Sequence, residues 1–162
     1  MTEHTHPHDG DIEHIVEQIR TSCLERHEGG PFGALVFKDG KIVGEGVNRV
    51  LGNHDPTAHA EVEAIRDACR RLGTHDLSGC TIYATGFPCP MCMSAIIWAN
   101  IREVYFSADY DDASAIGFRD DYIRHFIVGE FRDTNVLTLK QADKKAVLQL
   151  YRDYAASDHS LY

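Results

Sequence analysis

The sequence predicts an α/β domain in which helices cover a mixed β-sheet. After an initial pair of strands, segments with helical periodicity alternate with short apolar segments typical of strands. The residues with the most distinctive chemistry stand at the starts of two predicted helices. In layered α/β domains, ligands bind where helix starts meet the ends of strands. We therefore expect the functional site at one edge of the sheet.

The individual elements follow from apolar periodicity and from turn residues. Apolar residues at three- and four-residue steps predict the first helix, with Asp11 as its N-cap. Asp39-Gly40 predicts a type I′ hairpin, and Asp55-Pro56 predicts the N-cap and first residue of the second helix. The predicted strands are Ala34–Lys38, Lys41–Glu45, Thr81–Ala84, Glu103–Ser107 and Asn135–Leu139, and the predicted helices are Asp11–Glu28, Pro56–Leu72, Cys89–Asn100, Asp121–Val128 and Ala142–Ala156.

Length and composition predict one globular domain with no membrane partner. The chain has 162 residues, of which 43% are hydrophobic and 25% charged, as is ordinary for a soluble protein. No apolar run approaches the roughly 18 residues of a membrane span, and the start lacks the apolar region of a signal peptide. The five cysteines are an odd number, which favours the reducing cytoplasm over a disulfide framework.

The net charge favours a small-molecule substrate over a nucleic acid. The chain has 16 Lys and Arg against 25 Asp and Glu, a formal charge of −9. Affinity for nucleic acids depends largely on the neutralisation of phosphates by basic side chains. A local basic patch would still be compatible with this total.

We expect three segments in the chain. Residues 1–10 contain His4, His6 and His8 and are predicted to be a flexible terminus, with an accessory metal-binding tail as the alternative. Residues 11–156 are predicted to form the folded domain. Residues 157–162 lack periodicity and are predicted to be a C-terminal tail.

Two short motifs predict a metal site. His59-Ala60-Glu61 is followed by Pro88-Cys89-Pro90-Met91-Cys92, which together read H-x-E and P-C-x-x-C. One His and two Cys are three ligands for zinc, a number that leaves a fourth position open for water. Glu61 is close in sequence to His59 and can face that water without binding the metal. These residues predict a hydrolytic site in which Glu61 carries a proton from water to the leaving group.

The alternative is a structural zinc site. Such sites usually have four protein ligands, so a further Cys or His would be needed. The candidates for this fourth ligand are His54, Cys69, His75 and Cys80, although their spacing predicts no pairing with the two motifs.

Three residues could line a pocket beside the metal, and each has an ordinary structural interpretation. Asn48 could offer its amide to a base edge, or it could be a turn residue at a strand end. Phe32 could stack on a flat ligand or belong to the core. Trp98 could form the edge of the pocket, although its helix is mostly apolar and suggests a core position.

The motifs resemble those of the cytidine and deoxycytidylate deaminase superfamily, which are specific for zinc-dependent deamination. Within it, the chain is most similar to the bacterial guanine deaminases. The matching segments, which extend from Gly29 to Phe118 and return at the C-terminus, are Gly29–Ala34, Asn48, Asn53–Glu61, Pro88–Cys92, Ile116–Asp120 and Tyr162. One departure is Phe87, because family members commonly have Glu before the proline of P-C-x-x-C.

The resemblance implies a cytidine deaminase-like fold, which is a three-layer α/β/α sandwich around a mixed five-stranded sheet. It also implies one zinc per subunit and a homodimer in which the C-terminal segment closes the site, with exchange of this segment between subunits. The implied metal ligands are His59, Cys89 and Cys92, and the implied catalytic residues are Glu61 and Asp120. The implied substrate-binding residues are Phe32, Asn48, Trp98, Phe118 and Tyr162. From the residues alone, Asp120 would be solvated surface and Tyr162 a frayed end.

The function that these expectations favour is hydrolysis of guanine to xanthine and ammonia by a water activated by zinc. The first alternative is deamination of guanosine, another aminopurine or an aminotriazine. The second is deamination of adenosine in tRNA, which would need a basic groove. A zinc-stabilised binding module without catalysis is a third, and it leaves the carboxylate of Glu61 without a role.

Overall fold

A four-stranded mixed sheet lies at the centre of the computed structural model, which describes residues 7–142, 144–158 and 160–161. The strands are β1 (Gly33–Lys38), β2 (Lys41–Val47), β3 (Thr81–Gly86) and β4 (Glu103–Ala108). Their order is β2-β1-β3-β4, with β1 antiparallel to both neighbours and β3 parallel to β4. Asp39 and Gly40, which join β1 to β2, have φ of 50° and 70°. Positive φ at both central residues is the type I′ geometry, so the predicted hairpin is confirmed.

The chain forms two compact units, residues 1–120 and 121–162. The first unit contains the sheet and five helices, and the second contains two helices, all counted over the described residues. The helices are α1 (Asp9–Ile19), α2 (Val50–Asn53), α3 (Ala60–Leu72), α4 (Pro90–Trp98), α5 (Tyr110–Ala115), α6 (Asp121–Val128) and α7 (Lys145–Ala156). Residues Arg20–Glu25 continue α1 as a π-helix.

Helices cover both faces of the sheet in the first unit. On one face, Ile15 and Ile19 of α1 form a core cluster with side chains of β1, β2 and β3. On the other face, three alanines of α3 and Ile96 of α4 form a second cluster with β1 and β3. Neighbouring strand residues such as Ala34 and Leu35 belong to opposite clusters, as the two-residue repeat of a strand requires. The predicted three-layer α/β/α architecture is therefore confirmed.

Two glycines of β2 bring α3 close to the sheet. A Cβ atom added at Gly44 would lie 2.5 Å from the carbonyl oxygen of Ala64. A Cβ atom added at Gly46 would lie 2.4 Å from the nitrogen of Ala64 and 2.5 Å from the oxygen of Ala60. Any other side chain would therefore displace the backbone of α3, so these glycines set the distance between the helix and the strand.

The predicted fifth strand is wrong. Residues 135–139 form a turn followed by irregular chain in the second unit. Asp133 explains the turn, because its side chain accepts hydrogen bonds from the backbone nitrogen and the side-chain amide of Asn135. Its backbone carbonyl also accepts from Val136 and Leu137. These local bonds use backbone donors that a strand would offer to a neighbour.

Several helix starts also differ from the predictions. The first helix begins two residues before Asp11, whose carboxylate accepts a hydrogen bond from the backbone nitrogen of His8 at 2.9 Å. Asp11 is thus the third helical residue and not the N-cap. The short helix α5 lies in a segment for which no helix was predicted, and it forms because Asp109 and Asp112 cap each other's backbone nitrogens. Helix α6 has the predicted bounds.

The predicted terminal segments are described only in part. The structure describes residues 7–10 of the predicted flexible terminus, and α1 already begins at Asp9. His4 and His6 lie outside the described residues, as does Tyr162. Over the part of the chain that is described, no helix is both long enough and apolar enough to cross a membrane.

Candidate functional site

Both sequence motifs lie at helix N-termini in the first unit. His59 is the N-cap of α3 and Cys89 the N-cap of α4, and both have the extended backbone usual for that position. Cys92 is the third residue of α4, after the proline at its first position. The unpaired N–H groups of the first turn favour thiolates here.

The predicted start of α3 at Asp55-Pro56 is wrong because Asp55 caps a separate turn. Its Oδ1 accepts hydrogen bonds from the backbone nitrogen of Thr57 at 2.8 Å and from the Thr57 hydroxyl at 2.7 Å. The helix therefore begins at Ala60, and the cap position is occupied by His59. A metal ligand thus replaces the usual capping side chain.

The three predicted ligands form a triangle of the size that zinc requires. Nδ1 of His59 lies 3.6 Å from Sγ of Cys89 and 3.6 Å from Sγ of Cys92. In a tetrahedral zinc site, bonds of about 2.0–2.1 Å to nitrogen and about 2.3 Å to sulfur place these atoms about 3.6 Å apart. All three donor atoms lie within 4.8 Å of one another. The two distances to His59 therefore match those of a tetrahedral zinc site, and all three donors are close enough to share one ion.

The electrostatic environment of the three metal-ligating side chains favours a cation. A hydrogen bond with Cys92, the main cause, and the neighbouring His59 together lower the pKa of Cys89 to about 4, against the effect of burial. The same pairing with Cys89, together with burial, raises the pKa of Cys92. The hydrogen bond with Cys89 also raises the pKa of His59. One thiol is thus deprotonated at neutral pH before any metal binds.

The metal group contains three donors among the described residues, which leaves the fourth zinc position for a non-protein ligand. None of the four residues considered for a structural site belongs to it. Cys80 is part of the core cluster under α3, and Cys69 packs against that cluster. His54 and His75 are exposed. A closed, four-ligand structural site therefore has no support in this geometry.

Glu61 is a buried carboxylate beside the metal ligands. It is the second residue of α3 and is only 8% exposed. The Cys92 thiol donates a hydrogen bond to its Oε2 at 3.3 Å. Burial raises the pKa of Glu61, opposed by hydrogen bonds and by the charge of His59. This is the position and environment expected of a group that takes up and releases a proton.

Asn48 is held in one orientation at the end of β2. Its Oδ1 accepts hydrogen bonds from the backbone nitrogens of Gly30 at 3.3 Å and Val50 at 3.2 Å. Two N–H donors can face only the oxygen of the amide, so the orientation follows from chemistry. No hydrogen bond among the described residues uses the Nδ2 group of Asn48, so this group can donate to a ligand. The turn that Asn48 makes and its predicted binding role are therefore compatible.

The aromatic residues Phe32 and Phe118 lie beside this amide. Their ring centroids are 4.9 Å apart, with the planes at 89°. A Cβ atom at Gly30 would lie 2.8 Å from the Phe118 ring, so Gly30 lies in contact with the aromatic pair as well as with Asn48. This places three of the predicted substrate-binding residues in one group.

A hydrogen bond connects this group to the metal ligands. The backbone nitrogen of Arg49 donates to the carbonyl of Ala58, at 2.9 Å. Arg49 follows Asn48, and Ala58 precedes His59. On the other side, Gly86 packs against the Phe32 ring shortly before Cys89 in the chain. The loops that carry Asn48 and the metal ligands are thus adjacent.

The remaining predicted residues differ in how far the structure brings them to the site. Asp120 is partly buried, with its Oδ1 shielded from solvent, which argues against ordinary solvated surface. Trp98 is 72% exposed at the end of α4, about 13 Å along the helix axis from Cys89. It does not line the metal group of its own chain. Tyr162 lies outside the described residues.

Phe87, the departure from the family pattern, packs against Phe106 of β4. Its ring lies 5.1 Å from that of Phe106 at 85°. Its backbone nitrogen donates to the carbonyl of Ala108, at 2.9 Å. The apolar side chain therefore contributes to the edge of the sheet.

Comparison with known proteins agrees with this site. Residues 10–108 match the cytidine and deoxycytidylate deaminase zinc-binding region. The chain is 52% identical over 95 residues to guanine deaminase of Bacillus subtilis and 49% identical over 78 residues to a tRNA-specific adenosine deaminase of Aquifex aeolicus. These matches cover 59% and 48% of this chain, and 61% and 52% of the two relatives. The chain thus spans between half and two thirds of these two relatives.

A solved structure extends the similarity to both units. Guanine deaminase from Bacillus subtilis superposes with a TM-score of 0.85 and 36% identity, over 97% of this chain and 99% of that one. It therefore shares the fold of this chain. With 99 consecutive residues matched to the family and a donor triangle of the size zinc requires, the chain belongs to the cytidine and deoxycytidylate deaminase zinc-binding family.

Proposed function

We propose that this protein is a zinc-dependent deaminase that hydrolyses guanine to xanthine and ammonia. The observation that carries the proposal is the three-donor set of His59, Cys89 and Cys92 with the buried carboxylate of Glu61 beside it. Three protein ligands are typical of catalytic zinc sites. The similarity in fold to a guanine deaminase over nearly the whole of both chains supports the choice of base.

Each residue of the site has a chemical role in this proposal. Bound zinc would activate a water molecule for attack on the ring carbon that carries the amino group. Glu61 accepts one proton of that water and gives it to a ring nitrogen, and it later carries the second proton, from the new hydroxyl, to the departing amine. Asn48 donates from Nδ2 to an acceptor on the base and so fixes its orientation. Phe32 and Phe118 supply apolar surface for the ring.

The orientation of Asn48 supports guanine over adenine. Guanine has O6 and N7 as two adjacent acceptors on one edge, whereas adenine has an amino donor in place of O6. An amide whose oxygen is already occupied by Gly30 and Val50 can only donate to a base. It is therefore complementary to the guanine edge at both positions.

The test is ammonia release by the zinc-loaded protein with guanine, guanosine, adenine, cytosine, ammeline and tRNA as separate substrates. We expect release from guanine and its loss by about 10²- to 10⁴-fold in Glu61→Gln, because an amide cannot carry the proton. Zinc content should be unchanged in this variant. Turnover of guanosine without guanine would move the proposal to the nucleoside, and full activity of Glu61→Gln would contradict the mechanism.

Adenosine deamination in tRNA is the competing function, favoured by the 49% identity to the Aquifex aeolicus enzyme. The charge of −9 is unfavourable for a phosphate backbone. Release from tRNA with none from guanine would establish this function instead.

We propose further that Asp120 is a second acid/base and that Trp98 and Tyr162 contribute to substrate binding. The partial burial of Asp120 supports the first role. For Trp98 and Tyr162 the support is the family resemblance. Asp120→Asn with unchanged turnover would remove this residue from the mechanism.

We also propose residues 11–156 as the catalytic domain, residues 1–10 as a flexible terminus and residues 157–162 as a tail closing the site.

We infer that the protein is a homodimer with exchanged C-terminal segments. The exposed apolar side chains of α7 support this inference, because they need a protein surface to cover them. These are Val147, Leu148, Leu150, Tyr151 and Tyr154, which are between 37% and 64% exposed. Light scattering should give twice the chain mass of 18.2 kDa. A monomer would contradict the inference.

We also propose the cytoplasm as the place of action. All five cysteines are free thiols in the structure, including the two metal ligands. A reducing compartment would preserve them.

A further inference from the structure

Glu28 connects the segment before β1 to α2, the short helix that follows Asn48. Its backbone carbonyl accepts hydrogen bonds from the nitrogens of Leu51, at 2.9 Å, and Gly52, at 2.8 Å. Its carboxylate accepts from the Ser22 hydroxyl at 2.9 Å and lies 3.4 Å from the guanidinium of Arg49. We refer to Ser22, Glu28 and Arg49 as the Glu28 latch. The sequence motifs give no indication of it.

The π-helix that ends α1 sets the position of this latch. The backbone nitrogen of Glu28 donates to the carbonyl of Ser22, at 2.9 Å, and that of Arg26 donates to Thr21, at 3.1 Å. The side chain of Ser22 is 5% exposed, so a buried hydroxyl points at the Glu28 carboxylate. Wider helical turns of this kind occur frequently beside functional sites.

The latch is adjacent to the two glycines that contact Asn48. Gly29 passes so close that a Cβ atom there would lie 2.2 Å from Oδ1 of Asn48. Gly30 donates its backbone nitrogen to the same oxygen at 3.3 Å. Since Glu28 precedes Gly29 and binds the residues that follow Asn48, it controls the separation of the two segments. The orientation of the Asn48 amide depends on that separation.

We propose that Glu28 is a positioning residue that holds the Asn48 amide in its donor orientation toward the substrate. That the amide faces a substrate rests on the proposed function. That Glu28 holds the amide in this orientation does not depend on it. Ser22 orients the carboxylate, and Arg49 balances its charge beside the site. Loss of the carboxylate removes the contacts with Ser22 and Arg49 and leaves only the backbone bonds to Leu51 and Gly52. The 29–30 backbone can then move away from Asn48 Oδ1, and the amide becomes free to rotate.

The first test is steady-state kinetics with guanine for Glu28→Ala. We expect kcat/KM to fall about tenfold, mostly through KM, with zinc content unchanged, because charged hydrogen bonds of this type are lost. Glu28→Gln should recover part of the loss, since its oxygen can still accept from Ser22. The matched control is Glu63→Gln, which removes a carboxylate of similar exposure, 23% against 21%, that also pairs with an arginine. It should leave the kinetics unchanged.

A double-mutant cycle separates positioning from general stability. In an Asn48→Ala background, Glu28→Ala should cause no further loss of kcat/KM, because the group that it positions is absent. The same tenfold loss in both backgrounds would overturn the proposal. If Glu28→Ala fails to fold, Ser22→Ala is measured in the same cycle with the same expectation.

Hydrogen exchange provides a readout that needs no activity. In Glu28→Ala, the backbone amides of Gly30 and Val50 should exchange faster, since both donate to Asn48 Oδ1. The amide of Leu77, bonded to Ala99 elsewhere in the unit, should not change. Unchanged exchange at Gly30 and Val50 would refute the positioning role. A wild-type protein without guanine turnover would refute the proposed function and leave this test valid.

Discussion

At the residue scale, Asn48 shows how a side chain can be restricted to a single chemical role. Its oxygen is occupied by two backbone nitrogens, so only its NH₂ group can meet a substrate. Asn48→Asp preserves the shape and the acceptor oxygen but removes the donor.

Asn48→Asp should therefore fold normally and bind zinc, yet lose guanine turnover. We expect kcat/KM to fall by about 5- to 150-fold, because the loss of one buried hydrogen bond costs about 1–3 kcal/mol. Steady-state kinetics and thermal melting measure the two effects. Asn48→Ala is the comparison, since it should lose stability in addition to turnover. Equal activity of Asn48→Asp and the wild type would show that Nδ2 does not contact the substrate.

The metal ligands could be predicted from sequence because each motif is local. The spacing from Cys89 to Cys92 spans one helical turn and is independent of the rest of the fold. The orientation of Asn48 could not be predicted in this way. It depends on Gly29 and Gly30, which are eighteen or more residues away in the chain and meet Asn48 only after the hairpin has formed.

At the element scale, the approach of α3 to β2 positions the first metal ligand. Gly46 contacts the backbone of Ala60 and Ala64 at the start of α3, directly after His59. The periodicity of the sequence does not indicate how closely a helix approaches a strand. The helix itself was predictable from its apolar face, although its start was not, because the Asp55 side chain is used in a separate turn.

Gly46→Ala should weaken both stability and zinc binding. The added methyl group collides with backbone, so α3 must move and carry His59 away from the two cysteines. We expect the free energy of unfolding to fall by about 1–3 kcal/mol, together with a lower affinity for zinc. Urea unfolding and metal titration measure these changes. Gly10→Ala is the control, since its added Cβ meets no atom within 4 Å in α1. Unchanged zinc affinity in Gly46→Ala would contradict this view of the helix.

Glu45 of β2 connects helices from both faces of the sheet. Its carboxylate contacts His14 of α1 at 2.9 Å and Arg71 of α3 at 3.1 Å. The hydrogen bond with His14 is the main cause that lowers the pKa of Glu45 below its ordinary value of 4.5, against the effect of burial. A carboxyl with a lowered pKa in the folded state stabilises the protein above its unfolded pKa. This stabilisation is lost as the pH falls through the folded value.

The Glu45→Gln variant should accordingly be less stable than the wild type at neutral pH. The difference in free energy of unfolding should shrink as the pH falls below about 4.5. Urea unfolding at pH 7 and at pH 3.5, a value about one unit lower than the ordinary pKa, measures it. Glu13→Gln removes an exposed carboxylate from α1 and serves as the control for net charge. A difference that is constant with pH would show that this carboxylate does not contribute through its charge.

At the scale of the whole molecule, the sequence predicted the layers but also one strand that the structure does not have. Alternating residues in the central strands had to face two apolar layers, so helices on both faces followed from the pattern. The segment after Asp133 has strand-like composition, but its local hydrogen bonds form a turn instead. Competition between local and long-range bonds is not visible in composition.

Removal of the metal should destabilise the whole first unit and abolish its activity. Zinc bound to the folded protein alone stabilises it by mass action, by about 2.7 kcal/mol at a free concentration one hundred times Kd. We expect a chelator to lower the melting temperature and abolish turnover, and added zinc to restore both. Calorimetry with and without chelator measures the shift. Cys92→Ser should melt at a temperature that depends less on zinc. A melting temperature that is the same in chelator and in zinc would contradict this expectation.

The cap positions of His59 and Cys89 have a consequence for the connectivity of the chain. The two residues are thirty positions apart, and the segment between them includes α3 and β3. An ion held by both would close this segment into a loop, as a disulfide does, and so reduce the number of conformations open to the unfolded chain. Unlike a disulfide, this cross-link is lost when the supply of zinc falls. The same two side chains would then make the abundance of the folded protein follow the metal status of the cell.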